Sequence, residues 1–345
     1  MQVFRSVAIV SDPIIRPVSA KTLRQWCAPE VILVVTNLTD ELVILPHAIV
    51  QAKPSHAKII LSHVVTPMVT SSNTSCRSRK PTVRLQEARA TLERMARNLR
   101  WLGFVCEPVV LTGLPEIEIP SLARSCCADR VMIGFEDNPD SGRTPTTTLA
   151  GQLLSNLDVP TCVIGKNVSL PSAHGQFTKG ITIATSLKSD CDVPLSFACR
   201  LAQEQRAKLT LFHVFERKCG DDDISAPMPL EIASKLPVPT WREAELLCPT
   251  EITIREGDAG DEILKYSLSN NPDMIILCSP GERSYWEDWR ESVSSRVIAG
   301  ANCPVFVLKR QPVLAKLTNA GDGFPEKVSA YGECLTTTTQ KEDVM

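Results

Sequence analysis

Histidine is the side chain that most readily exchanges protons near neutral pH, and two of the five in this chain stand at matching places. His63 lies in the run Leu61-Ser62-His63-Val64-Val65 and His213 in Leu211-Phe212-His213-Val214-Phe215. An imidazole at a strand end can serve as a general base. Neither histidine, however, has a nucleophile signature such as Gly-x-Ser-x-Gly beside it, so both are read as packing or hydrogen-bonding groups. The 13 cysteines are odd in number, scattered, and never at Cys-x-x-Cys spacing, and no histidines stand at ligand spacing. That pattern excludes a zinc or redox motif and reads as reduced thiols filling a cytosolic core. Asp221-Asp222-Asp223 is a solvated run, because three consecutive carboxylates in an extended chain cannot converge on one ion. A Gly-x4-Gly-Lys-(Ser/Thr) phosphate loop does not occur in the sequence. No catalytic constellation emerges from these residues.

What positions them is a unit written twice. Gly113 to Pro160 lays over Gly257 to Pro304 without a gap, 144 residues apart. In that register Gly113 meets Gly257, Glu118-Ile119 meets Glu262-Ile263, Ser125 meets Ser269, Asp129 meets Asp273, and Thr148 meets Ser292. Farther upstream, Val34-Val35-Thr36-Asn37 answers Ile183-Ala184-Thr185-Ser186 with a small change in length. So long a period is a domain, not a solenoid repeat, and 345 residues suit two domains with a core each. The boundaries read as an extension over 1–27, a first domain over 28–166, a linker over 167–178, a second domain over 179–311, and a polar tail over 312–345, expected to be disordered.

Each copy opens on an apolar strand, Val31 to Val35 or Ile181 to Ala184, of the kind buried on both faces of a parallel sheet. Strands and helices then alternate. The best helix carries Leu85, Ala88, Leu92, Met95, Leu99 and Leu102 on one stripe, with Gly103 as its stop. The fold class is therefore α/β, as two tandem doubly wound five-stranded parallel-sheet domains. In such a sheet, ligands bind beyond the carboxyl ends of the strands, where strand order reverses. Net charge is -2 and aromatics make up 5%, which argues against nucleic-acid binding. Apolar runs are strand-length, which argues against a membrane span, and the reading is cytoplasmic. A short strand near Val7 to Val10 and mobile loops over Thr66 to Pro81 and around Asp221 complete the expectations.

The residues also carry a resemblance. The unit has His-Val at the end of strand two, a glycine before a helix reading Ile-x-x-x-(Ala/Ser), an aspartate before an apolar strand, and a Cys-Pro-Val close. This resembles the universal stress protein domain, most closely in "GDAGDEILKYSLSNNPDMIILCSPG" and "ANCPVFVLK" of the second copy. The resemblance implies an adenine nucleotide alpha hydrolase-like fold with strand order 3-2-1-4-5. It also implies an internal pseudo-dimer through the last strands, Thr161 to Ile164 and Val305 to Leu308, with a homodimer of chains left open.

Nucleotide-binding members of that family carry Gly-x2-Gly-x9-Gly-(Ser/Thr) after strand four and an aspartate after strand one. Glycines there let backbone N–H groups approach phosphate, and a helix start adds positive potential. In the second copy those positions hold Cys278, Gly281, Glu291 and Ser292, and Thr185 stands for the aspartate. In the first they hold Gly134, Asp137, Thr147 and Thr148, with Thr36 for the aspartate. The candidate nucleotide set is therefore Thr185, Ser186, Gly257, Gly281, Arg283 and Ser292, with Thr36, Gly113, Gly134 and Thr148 as degenerate equivalents. Carboxylates at Asp137 and Glu291 repel phosphate, and a Cβ blocks close approach. The expectation is a protein of the stress response without catalysis, acting through an unknown protein partner. ATP or another adenine nucleotide is then bound at low affinity or not at all. The alternatives are a nucleotide switch in the second copy and a nucleotide hydrolase, for which no residues that activate water are visible.

Overall fold

The computed structural model describes residues 27–66, 81–134, 149–157, 159–171, 180–185, 192–215, 248–279 and 292–309. The expected N-terminal strand, both variable loops, most of the linker and the polar tail lie outside the described residues.

The first half runs β1 (Val31–Val35), α1 (Glu41–Ala52), β2 (Lys58–Val65), α2 (Pro81–Trp101), β3 (Cys106–Thr112), α3 (Pro115–Ser125), β4 (Arg130–Gly134), α4 (Leu149–Asn156) and β5 (Thr161–Ile164). The second runs β6 (Ile181–Ala184), α5 (Asp192–Gln205), β7 (Leu209–Phe215), β8 (Thr250–Glu256), α6 (Ala259–Asn270), β9 (Met274–Ser279), α7 (Val293–Gly300) and β10 (Val305–Lys309). The repeat register now reaches farther upstream, since β3 and β8 begin and end at equivalent residues. Within each half the strands are parallel in the order 3-2-1-4-5. One ten-stranded sheet results, β3-β2-β1-β4-β5-β10-β9-β6-β7-β8. This is a doubly wound, Rossmann-like α/β fold.

The seam between the halves is antiparallel and short: Val163 pairs with Val305, Cys162 with Phe306, and Thr161 with Val307. Cys162 and Phe306 are equivalent residues of the repeat, so a local two-fold passes between them, and the contact uses the same patch of each half.

Successive residues of a strand point to opposite faces, and both faces are covered. Ile32 and Val34 join a layer with Ile44 and Ala48 of α1, Leu92 and Met95 of α2, and Leu195 and Phe197 of α5. Leu33 and Val35 join a layer with Ile119 of α3, Leu153 of α4, Ile263 of α6 and Val297 of α7. Both layers continue from one half into the other. The stripe of α2 buries Ala88, Leu92, Met95 and Leu99, but Leu102 is exposed, because the helix ends at Trp101 and Gly103 turns the chain with φ +91°.

Two repeated aspartates explain themselves here. Asp129 accepts hydrogen bonds on Oδ2 from the amides of Glu30 and Val31, at 2.7 and 3.0 Å, and its own N–H donates to the Val31 carbonyl. Asp273 likewise accepts from the Gly180 amide at 2.8 Å and donates to the Gly180 carbonyl. Each closes the amino end of its half by tying the entry of strand one to the entry of strand four.

The first residues of the expected linker are engaged. Val168 is buried, and the Asn167 side chain donates to the Ala299 and Gly300 carbonyls that close α7. The Ser169 amide donates to the Asn302 carbonyl, and the Ser169 carbonyl accepts from His47 Nε2 of α1 at 3.1 Å. This strap is therefore fastened to both halves.

Replacing Asp129 or Asp273 by Ala should each cost about 0.5–1.5 kcal/mol, the net worth of a hydrogen bond at these exposed to part-buried amides, read as a lower urea midpoint. Burial lowers the His47 pKa, against the opposing effect of its bond to Ser169. The unfolded imidazole, with its ordinary value of 6.5, therefore takes up a proton first as pH falls. Stability should drop as pH passes below about 6.5 toward the depressed folded value. His47→Gln, which keeps a donor, should remove that His47-linked component of the pH dependence in urea denaturation.

Candidate functional site

The crevice of the first half lies where β1, β2 and β4 end. Beyond β1 the chain turns sharply: the Asn37 side-chain oxygen accepts from the amides of Thr39 and Asp40, at 2.8 and 2.9 Å, and from the Thr39 hydroxyl at 2.9 Å. Leu38 adopts φ +73° within that turn. Thr36 is buried and fully used. Its amide donates to the Ser62 carbonyl, its hydroxyl accepts from the Leu38 amide at 2.9 Å and donates to Asp40 Oδ1, and its carbonyl accepts from His63 Nδ1 at 2.8 Å. A carbonyl can only accept, so the His63 proton sits on Nδ1.

Asp40 occupies the capping position of α1 but makes no side-chain cap bond. Its carboxylate turns inward instead, to Thr36 and to Gly134 at the end of β4. A Cβ built on Gly134 would stand 2.8 Å from Asp40 Oδ2. Burial raises the Asp40 pKa, while hydrogen bonds from Thr36 and the Asn37 turn, and the proximity of His63, pull the other way. Gly134, the one family glycine that the first copy retains, thus has a use that requires no phosphate: its missing side chain leaves room for an internal carboxylate. Sequence reasoning missed Asp40 because it lies four residues beyond the strand-one position where an acid was sought. The available signal was the absence of Cβ at Gly134 facing an otherwise ordinary helix-start aspartate.

The second crevice is built on the same frame. The Thr185 amide donates to the Phe212 carbonyl at 3.0 Å, and the Thr185 carbonyl accepts from His213 Nδ1 at 2.8 Å. The matching histidines thus tie strand two to strand one in each half. At the Gly134 position stands Cys278, half-buried at the end of β9. Ser292 is buried and caps α7, its hydroxyl oxygen accepting from the Ser295 amide at 3.1 Å. Ser186, Gly281 and Arg283, with Thr148 of the first half, lie outside the described residues, as do Asp137, Thr147 and Glu291.

Gly113 and Gly257 follow the edge strands β3 and β8 with φ +147° and +141°, a region that favours glycine. A Cβ there would lie 2.6 Å from Glu118 Oε1 and 3.1 Å from Glu262 Cγ. Their role is to admit the glutamate of the following helix. The structure thus gathers Thr36, Asp40, His63 and Gly134 at one crevice, and Thr185, His213 and Cys278 on the strand ends of the other. Among the described residues, no three His, Cys, Asp or Glu side chains are placed to hold a metal, and no helix is long and apolar enough to cross a membrane.

Comparison with known proteins bears on the second half first. Residues 178–309 match the universal stress protein family. No curated protein matches the chain. Among solved structures, a universal stress protein from Archaeoglobus fulgidus DSM 4304 aligns with TM-score 0.59 at 17% identity, covering 81% of this chain and 96% of its own. A functionally unknown protein from Pseudomonas aeruginosa PAO1 aligns with TM-score 0.56 at 15% identity, covering 83% and 95%. Both likenesses span the two halves and, at such identities, show the shared fold.

The packing of Gly134 against Asp40 can be tested directly. Gly134→Ala should destabilise by about 1–3 kcal/mol through overpacking, and the cost should largely vanish when Asp40 is also replaced by Ala. Urea denaturation of the four proteins in the cycle gives this coupling.

Proposed function

We propose that this chain is a cytoplasmic, two-domain stress-response protein without catalytic activity, which works through protein contacts and whose adenine-nucleotide sites are largely erased. The family match of residues 178–309 supports the stress-response class. The observation that carries the erased-site reading is the Asp40 carboxylate lodged against Gly134. A phosphate brought to that strand end would meet a negative charge where the family pattern provides bare backbone, and like charges at short range oppose binding. The strand-end histidines each hold a backbone carbonyl through Nδ1, a frame role that needs no catalysis.

A second reading, a nucleotide-responsive switch in the second half, draws on Ser292, which starts α7 in the position the family pattern gives to a hydroxyl. Its oxygen already accepts from Ser295, however, and Glu291 precedes it in the sequence. A nucleotide held there would bind weakly and with strong salt dependence.

Calorimetric titration of the full chain with ATP, ADP and cyclic dinucleotides tests both readings. The expected outcome is no tight binding, with any residual heat lost on raising the salt. Micromolar or tighter ATP affinity would overturn the erased-site reading. Glu291→Gly removes a charge and a side chain together and should strengthen adenine-nucleotide binding if the second half is a damaged site. A folded Glu291→Gly protein showing no gain for any of these ligands would instead favour a scaffold.

A further inference from the structure

Arg130 opens β4 and is 1% exposed, among the largest fully buried side chains of the described residues. Two of its contacts lie in its own half: Nη1 donates to Gln51 Oε1 of α1 at 2.5 Å, and Nη2 donates to the Cys27 carbonyl at 2.8 Å. Two others lie in the second half. Its guanidinium carbon stands 5.7 Å from the ring centroids of both Phe197 and Phe306, which are 5.8 Å from each other. At these distances the ring faces attract a cation, and the attraction grows where water is excluded. Cys27 adds a further link across the halves, its thiol donating to the Phe197 carbonyl at 3.7 Å.

The two-fold at the seam makes this arrangement informative, because it is not symmetric. The repeat places Met274 where the first half has Arg130, and Phe306 where it has Cys162. One half supplies a buried cation beside a small thiol, and the other supplies aromatic faces beside a thioether. We infer that Arg130, with Phe197 and Phe306, is the specificity determinant of the seam, allowing a first half to pair with a second half but not with another first half.

The physical reason is desolvation. Pairing two first halves about the same two-fold would leave each guanidinium its bonds to Gln51 and the Cys27 carbonyl but take away both ring faces, and a buried cation that loses part of its compensation is destabilised. Pairing two second halves would set Phe306 against Phe306 in a space shaped for a cysteine opposite. Discrimination of this sort rests on penalising the wrong partner as much as on favouring the right one. The partner selected is thus a half of this chain's own second type. This follows from the fold alone and does not depend on the nucleotide reading.

The test uses the full chain with a protease site inserted between Pro171 and Gly180, cut after folding, with one of two mixed populations isotope-labelled. Native mass spectrometry then reads which halves pair. The wild-type protein should give mixed first–second pairs, with first–first pairs at least tenfold rarer. Arg130→Met, which places the same residue in both halves, should raise first–first pairs at least tenfold. Frequent first–first pairs in the wild type, or a composition unchanged by Arg130→Met, would overturn the inference. Should Arg130→Met not fold, Phe306→Leu decides the matter, since it keeps apolar bulk and removes the ring. Exchange of labelled halves at least tenfold faster than wild type is expected, and an unchanged rate would refute the assignment.

Discussion

The whole sheet depends on a junction three residue pairs long. Strands β5 and β10 touch only over Thr161 to Val163 and Val305 to Val307, yet they turn two five-stranded sheets into one. Backbone hydrogen bonds over so short a contact supply only about 0.5–1.5 kcal/mol each. The side chains weigh more: Cys162, Val163, Val305, Phe306 and Val307 are all buried, and complete burial of a large apolar side chain is worth about 1.5–3 kcal/mol. The junction holds because two apolar layers run through it. It also removes two strand edges that would otherwise invite pairing with other chains. Of the edges that remain, β3 and β8, β3 carries Pro108, which offers no amide donor.

A second regularity follows from the repeat. The polar residues that the two halves share are occupied inside each half. Asp129 and Asp273 clamp the entries of strands one and four, and His63 and His213 clamp the exits of strands one and two. Gly113 and Gly257 admit glutamates. Each of these pairs would look like a functional motif in a sequence comparison. In the structure each answers to a backbone group or a neighbouring side chain, and the repeat preserves a frame.

Much of that frame was legible beforehand. Apolar strands buried on both faces, the stripe of α2 and the Gly103 stop all follow from local chemistry, and the gapless register foretold that α3, β4 and α4 would match α6, β9 and α7 element by element. Three things were not legible. Asp40 reads as an ordinary helix cap until its backbone turn, set by Asn37, aims it at Gly134. Arg130 is one charge before an apolar strand in the sequence, and Gln51, Cys27, Phe197 and Phe306 reach it only after folding. Its mismatch with Met274 in the repeat was the sole hint. The clasp of His47, Ser169 and Asn302 was hidden because a segment read as a linker turned out to begin as a packed strap. In each case the deciding partner is distant in the chain, or its direction is set by a turn that composition does not encode.

The antiparallel junction has a geometric outcome of its own. Because β10 runs against β5, the carboxyl ends of the two sets of strands emerge at opposite borders of the sheet. The crevice holding Asp40 and the one flanked by Thr185 thus open at opposite borders, offset by about one strand length along the strands, about 15–25 Å at 3.3 Å per residue, and by about 19 Å across the sheet, four spacings of about 4.8 Å. A small molecule cannot touch both at once. A body docked on one mouth leaves the other facing away from it, so the two crevices are geometrically independent.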